Sequence, residues 1–299
     1  MAQISIAQAL LHSRRLTASS ESPQLDVQLL LAHVLHKPFS YLFTWPEKYL
    51  TSQEQAAFEK LLAQRCVGEP IAYLLGYQDF WSLRLKVSKD TLIPRPDTEL
   101  LVELVLGLGL PVANKAQGLQ FKDQPAAGIT VLDLGTGTGA IALALASEQP
   151  NWSFFASDYL PAAAALAESN RCQLRLDNVE ITTGSWFEPH RGKRFNVIVS
   201  NPPYIEEQDR HLAEGDVRFE PLSALTSADH GLQDIKLIIQ QAPDYLLEHG
   251  CLLLEHGYNQ GPQVRDLFAK RGFAAVRTEQ DLAANDRVTL GVWAGCEPR

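Results

Sequence analysis

Positive charge is in short supply along this chain: 26 Lys and Arg stand against 35 Asp and Glu, for a net charge of −9. Such a surface repels a phosphate backbone, so direct binding of duplex nucleic acid is not expected, although a local basic patch would still be allowed. Cysteine is also sparse. Cys66, Cys172, Cys251 and Cys296 lie far apart, with no Cys-x-x-Cys pair and no His at ligand spacing, a pattern that argues against a disulfide scaffold or a zinc knuckle. They read as reduced thiols of a cytoplasmic protein. No apolar run approaches membrane-spanning length, and Met1–Ile6 carries no basic segment leading into an apolar one, so neither a membrane anchor nor export is expected. His249, Glu255 and His256 flank the run Cys251–Leu254 without a one-turn helical pairing; a solvated strand end is expected there, and no metal.

What is present is enough apolar residue for sizeable cores: 45% hydrophobic and 20% charged over 299 residues, a globular composition and a length that suggests a small domain plus a larger one. To about residue 75 the pattern is helical. Ser22-Pro23 reads as a helix start, and Thr51-Ser52-Gln53-Glu54 fits a capping box that opens a helix toward Arg65 with Phe58, Leu61 and Leu62 on one face. Such a bundle is structural or partner-binding by default. After Trp81 an alternating run through Val87 predicts a short strand, half of a hairpin. The spaced prolines of Leu92–Glu99 predict a stiff loop feeding a helix from about Thr98 to Leu108. Residues 109–128 have no periodicity and read as a flexible surface insertion.

Two motifs carry chemistry. In the first, a strand (Ile129–Leu132) runs through Asp133-Leu134-Gly135-Thr136-Gly137-Thr138-Gly139 into a helix (Ala140–Ala146). This is the opening βα unit of a nucleotide-binding sheet, in which glycines let the backbone approach a ligand and the helix N-terminus offers free N–H groups. Such turns also serve dinucleotides, so a nicotinamide-dependent oxidoreductase or a non-catalytic nucleotide sensor stays open here. The Gly-x-Gly-x-Gly spacing and the preceding Asp133 favour S-adenosyl-L-methionine: a carboxylate there would repel a pyrophosphate but suit an ammonium and a sulfonium. Asp158 ends the next strand about 20 residues past the glycines, where an acid accepts from ribose hydroxyls; capping of the helix near Pro161 is the plainer reading. Trp186 follows a third strand, Val179–Thr182, at the edge where an adenine would lie, or else it covers the core.

In the second motif the apolar run Phe195–Ser200 ends in Asn201-Pro202-Pro203-Tyr204. The prolines remove two backbone donors and leave carbonyl acceptors, and Asn201 adds a side-chain oxygen. A planar –NH2 group could give one hydrogen to Asn201 and the other to the Pro202 carbonyl, with Tyr204 on its flat face. Asn201, Pro202 and Tyr204 are therefore the candidate catalytic residues, and Asn201 to Tyr204 the candidate substrate site. Downstream, further helices and strands, ending in Ala274–Val276 and Val288–Val292, predict a doubly wound sheet closed by an antiparallel hairpin.

Asp133–Gly139, Asn201–Tyr204, Pro94–Glu99, Gly215–Pro221 and Leu254-Glu255-His256-Gly257 together resemble the bacterial release factor glutamine methyltransferase (PrmC/HemK) family over nearly the whole chain. The resemblance implies a class I S-adenosylmethionine-dependent methyltransferase: a Rossmann-like α/β domain over 91–299, a helical substrate-binding domain over 1–75 and a β connector over 76–90. It implies methylation of the side-chain amide nitrogen, N5, of the glutamine in the Gly-Gly-Gln motif of class I peptide chain release factors. By the same resemblance Gly135, Thr136, Gly137, Thr138, Gly139, Asp158, Trp186 and Asn201 would contact the cofactor. Relatives often carry an acid where this chain has Ser185, and Arg218 and Glu220 fit either a partner contact or a solvated loop. Ribosomal-protein glutamine methylation and adenine-amino methylation of DNA are the alternatives that share the clamp.

Overall fold

In this computed structural model, residues 3–108 and 128–295 are described. The expected insertion at 109–128 lies, but for its last residue, outside them. The chain forms two compact units. One comprises Met1–Gln78, Val87–Lys89 and Arg210–Glu220; the other comprises Asp79–Lys86, Asp90–Asp209 and Pro221–Arg299. Among the described residues no helix is long and apolar enough to cross a membrane.

The smaller unit is helical. Its helix Pro23–Leu35 begins with proline at the first helical position, although Ser22 makes no capping bond to the backbone. The helix Ser52–Val67 has the expected capping box, with Glu54 N–H donating to Thr51 and the Glu54 carboxylate accepting from Thr51 N–H. Leu30, Leu31, Phe58 and Leu62 are among the fully buried side chains of its core. Arg65 is also buried there. It donates to Asp26 at 2.7 Å and to Asp216 at 3.0 Å, so the segment Arg210–Glu220, distant in sequence, is held by an ion triad. Arg218 donates to the Val67 carbonyl at 2.8 Å and Glu220 is only 5% exposed, so neither side chain is a simple solvated loop residue.

The larger unit is built on strands of which alternate residues reach opposite cores. Among the described residues of the whole chain the strands are, in order, β1 Tyr77–Phe80, whose first two residues belong to the smaller unit, β2 Leu83–Lys86, β3 Thr130–Leu134, β4 Ser153–Asp158, β5 Val179–Thr183, β6 Phe195–Ser200, β7 Leu246–Glu255, β8 Phe273–Gln280 and β9 Asp286–Trp293. Strand β2 lies in a two-stranded sheet, as expected for the connector; β3 to β9 form one sheet in the order β5-β4-β3-β6-β7-β9-β8. β3 to β7 are mutually parallel, and β9 runs antiparallel to both β7 and β8, which gives the expected hairpin. Val131, Val197, Val199 and Leu253 belong to one core, with the helices Glu99–Gly107 and Ala140–Glu148. Leu132, Leu134, Ile198, Leu252 and Leu254 belong to the other, with Gln233–Tyr245 and Gly261–Arg271. The period of two along a strand makes this division, and burial on both faces explains why β6 reads as an unbroken apolar run.

Candidate active site

Strand order reverses between β3 and β6, and in open α/β sheets the crevice beyond the C-terminal ends of the strands at such a reversal binds ligands. Residues that follow β3, β4, β5 and β6 line one cleft of about 220 Å³ in that place. It gathers Gly135, Thr136, Gly137, Thr138, Asp158, Trp186, Asn201 and Pro203, together with Leu92, Pro94, Arg95 and Thr98 of the proline-spaced loop. Gly139, Pro202 and Tyr204 are not among its wall residues.

The loop after β3 is shaped by its backbone. Gly135 and Thr136 N–H groups both donate to the Ser157 carbonyl, at 2.9 and 3.0 Å, which ties the loop to the end of β4. Gly137 has φ +56°, and a Cβ there would meet nothing nearer than Thr91 at 4.0 Å, so it would stand in the cleft itself. Gly139 is glycine for another reason: with φ +87°, its Cβ would come within 2.8 Å of Leu143 in the following helix. The left-handed backbone and the crowding against that helix both favour glycine there.

Three acidic or aromatic positions complete this end. Asp158 Oδ2 accepts from Gly137 N–H at 2.9 Å and Oδ1 from Leu160 N–H at 3.0 Å, so the residue both holds the glycine loop and steadies the start of the helix Pro161–Leu174. Each carboxylate oxygen can accept again, which keeps it available to a ribose. Burial pushes its carboxyl up, against those backbone bonds. Trp186 lies against the loop, its ring 3.4 Å from where a Gly135 Cβ would be. Asp133 corrects an expectation. Its side chain is 1% exposed and off the cleft wall; Oδ2 accepts from Thr136 Oγ1 at 2.6 Å and from Ala142 N–H at 3.3 Å. Burial pushes it up to about 6. Asp133 therefore braces the loop and the helix start instead of facing a sulfonium.

At the other end Asn201 Nδ2 donates to Thr98 Oγ1 at 3.1 Å, which leaves Oδ1 as the amide's acceptor end. The Tyr204 hydroxyl donates to Glu255 Oε1 at 3.3 Å, and burial raises the phenol's pKa. Glu255 is 2% exposed, and desolvation pushes it up to about 7. The strand end here is thus not solvated as its sequence suggested. His256 is fully buried, with ring nitrogens 2.9 Å from the Gly257 carbonyl and 2.8 Å from Thr289 Oγ1. Sequence reasoning missed Thr98 and Glu255 as partners of the clamp, and Ile141, Tyr159, Ser223 and Asp234 as wall residues. Tyr159 directly follows the strand-ending acid, a signal that was there to use; Ser223 and Asp234 had none.

The donor set suits a nucleoside carrying an amino-acid tail. Gly137 leaves open space where any other residue would place a Cβ, Asp158 retains acceptor capacity, and Trp186 and Asn201 lie on the same wall. Residues 8–76 match the family model described as PrmC N-terminal domain, and residues 119–217 match the methyltransferase small domain. A release factor glutamine methyltransferase of Aliivibrio fischeri is 52% identical over 275 residues, 92% of each chain. The protein of the same name from Pseudomonas aeruginosa is 54% identical over 275 residues, 92% of this chain and 94% of that one. Among solved structures, a methyltransferase from Pyrococcus furiosus matches with a TM-score of 0.50 at 16% identity, covering 71% of this chain and 89% of its own. That last likeness concerns the fold alone.

Proposed function

The chain belongs to the release factor glutamine methyltransferase family, and from that premise we propose that its cleft joins S-adenosyl-L-methionine to the glutamine of the Gly-Gly-Gln motif in class I peptide chain release factors. The enzyme is a protein-(glutamine-N5) methyltransferase. The observation that carries the reading is the meeting of Asn201 and the Gly135–Thr138 loop on the wall of one cleft.

S-adenosyl-L-methionine, when bound, supplies an electrophilic methyl group on a sulfonium sulfur. Gly135 to Thr138 would hold its methionine part, Asp158 the ribose and Trp186 the adenine region; Gly139 supports them from behind through helix packing. The acceptor is a poor nucleophile, because an amide lone pair is delocalised into the carbonyl. Asn201 Oδ1 and the Pro202 carbonyl each accept one amide hydrogen, with Pro203 on the cleft wall beside them, and Tyr204 supports the flat face. Two acceptors placed for the positive charge that grows on nitrogen favour the more pyramidal, more reactive form. The departing proton is already directed at one of those two oxygens, so no strong base need act first. Positioning carries most of the rate, up to roughly 7–11 kcal/mol in well-oriented systems. The acidic surface agrees with a protein substrate, and the enzyme works in the cytoplasm, where release factors act.

The test supplies labelled S-adenosyl-L-methionine with a release factor, a ribosomal-protein extract and DNA in separate reactions, and maps the label by mass spectrometry. Label on the release-factor glutamine is expected. Label on DNA alone, or on ribosomal protein alone, would overturn the reading.

A further inference from the structure

The ladders of the sheet stop one residue short of Asn201. Ser200 is the last residue of β6 paired with β3 and with β7, and Pro202 and Pro203 have no N–H with which to extend either ladder. Beyond them the chain is held by a turn and by a buried side chain. Ile205 N–H donates to the Leu225 carbonyl and Ser227 N–H to the Ile205 carbonyl, both at 2.9 Å. Between these bonds and the prolines, the Tyr204 carbonyl accepts from Nε2 of Gln260 at 3.1 Å. Gln260, 7% exposed, lies between the end of β7 and the helix Gly261–Arg271. The same Nε2 donates to the His230 carbonyl at 3.2 Å, and Oε1 accepts from Gly257 N–H at 2.9 Å. One N–H and two carbonyls fix this amide in a single orientation, since a flipped amide would set donor against donor and acceptor against acceptors.

The turn that Gln260 reaches is strained. Asp229, His230 and Gly231 have φ of +56°, +56° and +78°, three successive left-handed residues of which two carry side chains. It is also pressed against the clamp, for a Cβ on Gly231 would come within 2.1 Å of the Tyr204 carbonyl oxygen. Its exposed ties are ion pairs, Asp229 with Lys236 and His230 with Glu206, and Gln260 is a buried one. Without the Gln260 amide, two carbonyls that share one NH2 group would lose that partner, and the chain that carries the Pro202 carbonyl and the Tyr204 ring would lose its fixed end. We propose that Gln260 is a positioning residue for the methyl transfer: by holding the Tyr204 carbonyl and the strained turn together, it fixes the backbone from which the clamp presents its acceptors to the substrate glutamine. The role rests on the reading of Asn201 to Tyr204 as the amide-binding residues. Gln260 is not on the cleft wall and makes no bond to the glycine loop, so its loss belongs to kcat and not to cofactor affinity.

Two variants of the full chain test this with release factor and S-adenosyl-L-methionine, each assayed for kcat, for both KM values and for S-adenosyl-L-methionine binding by calorimetry. Gln260→Met keeps the length of the side chain and removes its hydrogen bonds, so kcat should fall about tenfold or more while cofactor affinity stays within about twofold. Gln260→Glu keeps the acceptor for Gly257; when ionised it has no donor for either carbonyl, and when protonated it regains one. Its kcat relative to the parent enzyme should therefore rise about threefold or more as pH is lowered from about 9 to about 6, whereas the ratio for Gln260→Met stays flat. The acids and histidines nearby, Glu206, Asp229, His230, Glu255, His256 and Asp286, are common to all three proteins, so the ratio cancels their protonation. Wild-type kcat in Gln260→Met, a cofactor affinity that falls in step with kcat, or a flat ratio for Gln260→Glu would each overturn the role. Should one variant fail to fold, the other decides by itself. Asn201→Ala, run alongside, separates the two readings: if it keeps full turnover, the clamp and this role fall together; if it is inactive while Gln260→Met is not, only the role of Gln260 falls.

Discussion

The two ends of the cleft are built on different physics. The glycine loop is made by one contiguous stretch, Gly135–Gly139, whose backbone conformation and two bonds to Ser157 give it shape. The other end is assembled from two pairs distant in sequence, Asn201 with Thr98 and Tyr204 with Glu255, separated by 103 and 51 positions. One end is a local conformation, so its failures should be those of a strained backbone and a filled space. The other is a network, so its failures should be those of a lost or misdirected partner.

The largest effect should come from breaking the network at its working atom. Asn201→Ala removes the acceptor aimed at developing charge, and steady-state kinetics should show kcat lower by about 10²–10³, the range seen when one such group is deleted, with S-adenosyl-L-methionine binding largely kept. A matching loss of cofactor affinity would mean that the two ends are not separable. Gly137→Ala attacks the local end. It forces a side chain into a left-handed backbone and puts a methyl group in the cleft, so titration calorimetry should find cofactor affinity lower by about tenfold, with release-factor KM little changed.

The smallest effect concerns stability, and its sign follows from the direction of one shift. Glu255 is pushed up to about 7 by burial, so the folded state binds its proton more tightly than the unfolded chain does. The stability that its neutral form contributes is fully present below the ordinary carboxylate range and is lost as pH rises through about 7. Denaturant midpoints measured between pH 5 and 7.5 should therefore decline more steeply for the parent protein than for Glu255→Gln. Equal slopes would place the titration elsewhere, for example on Asp133, which is pushed up to about 6 with the same sign. The groups facing Glu255 are Thr98 and Asp97 before the helix Glu99–Gly107, Tyr204 after β6, and Arg287 in β9.

This contrast also explains what could be read beforehand. The capping box at Thr51, the strand β6, the βα turn and the closing hairpin were legible because each depends on neighbours in sequence or on a simple period. Asp133 was placed in the right loop, but an acid bracing a helix start and one facing a cation look identical as letters, and the crowding of Gly139 against Leu143 leaves no mark in the sequence either. The end of β7 was misjudged for a related reason. Glu and His beside an apolar run usually signal water, and here they are buried because β9 and the clamp cover them.

By itself the sequence determined the kind of molecule: a helical unit followed by a doubly wound sheet, a glycine-rich strand-to-helix loop and an Asn-Pro-Pro-Tyr strand end, all properties of contiguous residues and their spacing. The order of the strands in the sequence already set the glycine loop and Asn201 at one sheet edge; only the tertiary structure decided that Thr98 pairs with Asn201, that Tyr204 pairs with Glu255 away from the cleft wall, and that Arg210–Glu220 belongs with the helical unit. Strand order is the physical reason. Parallel pairing sets β3 beside β6 and β6 beside β7, and it brings to one edge side chains that no local pattern relates.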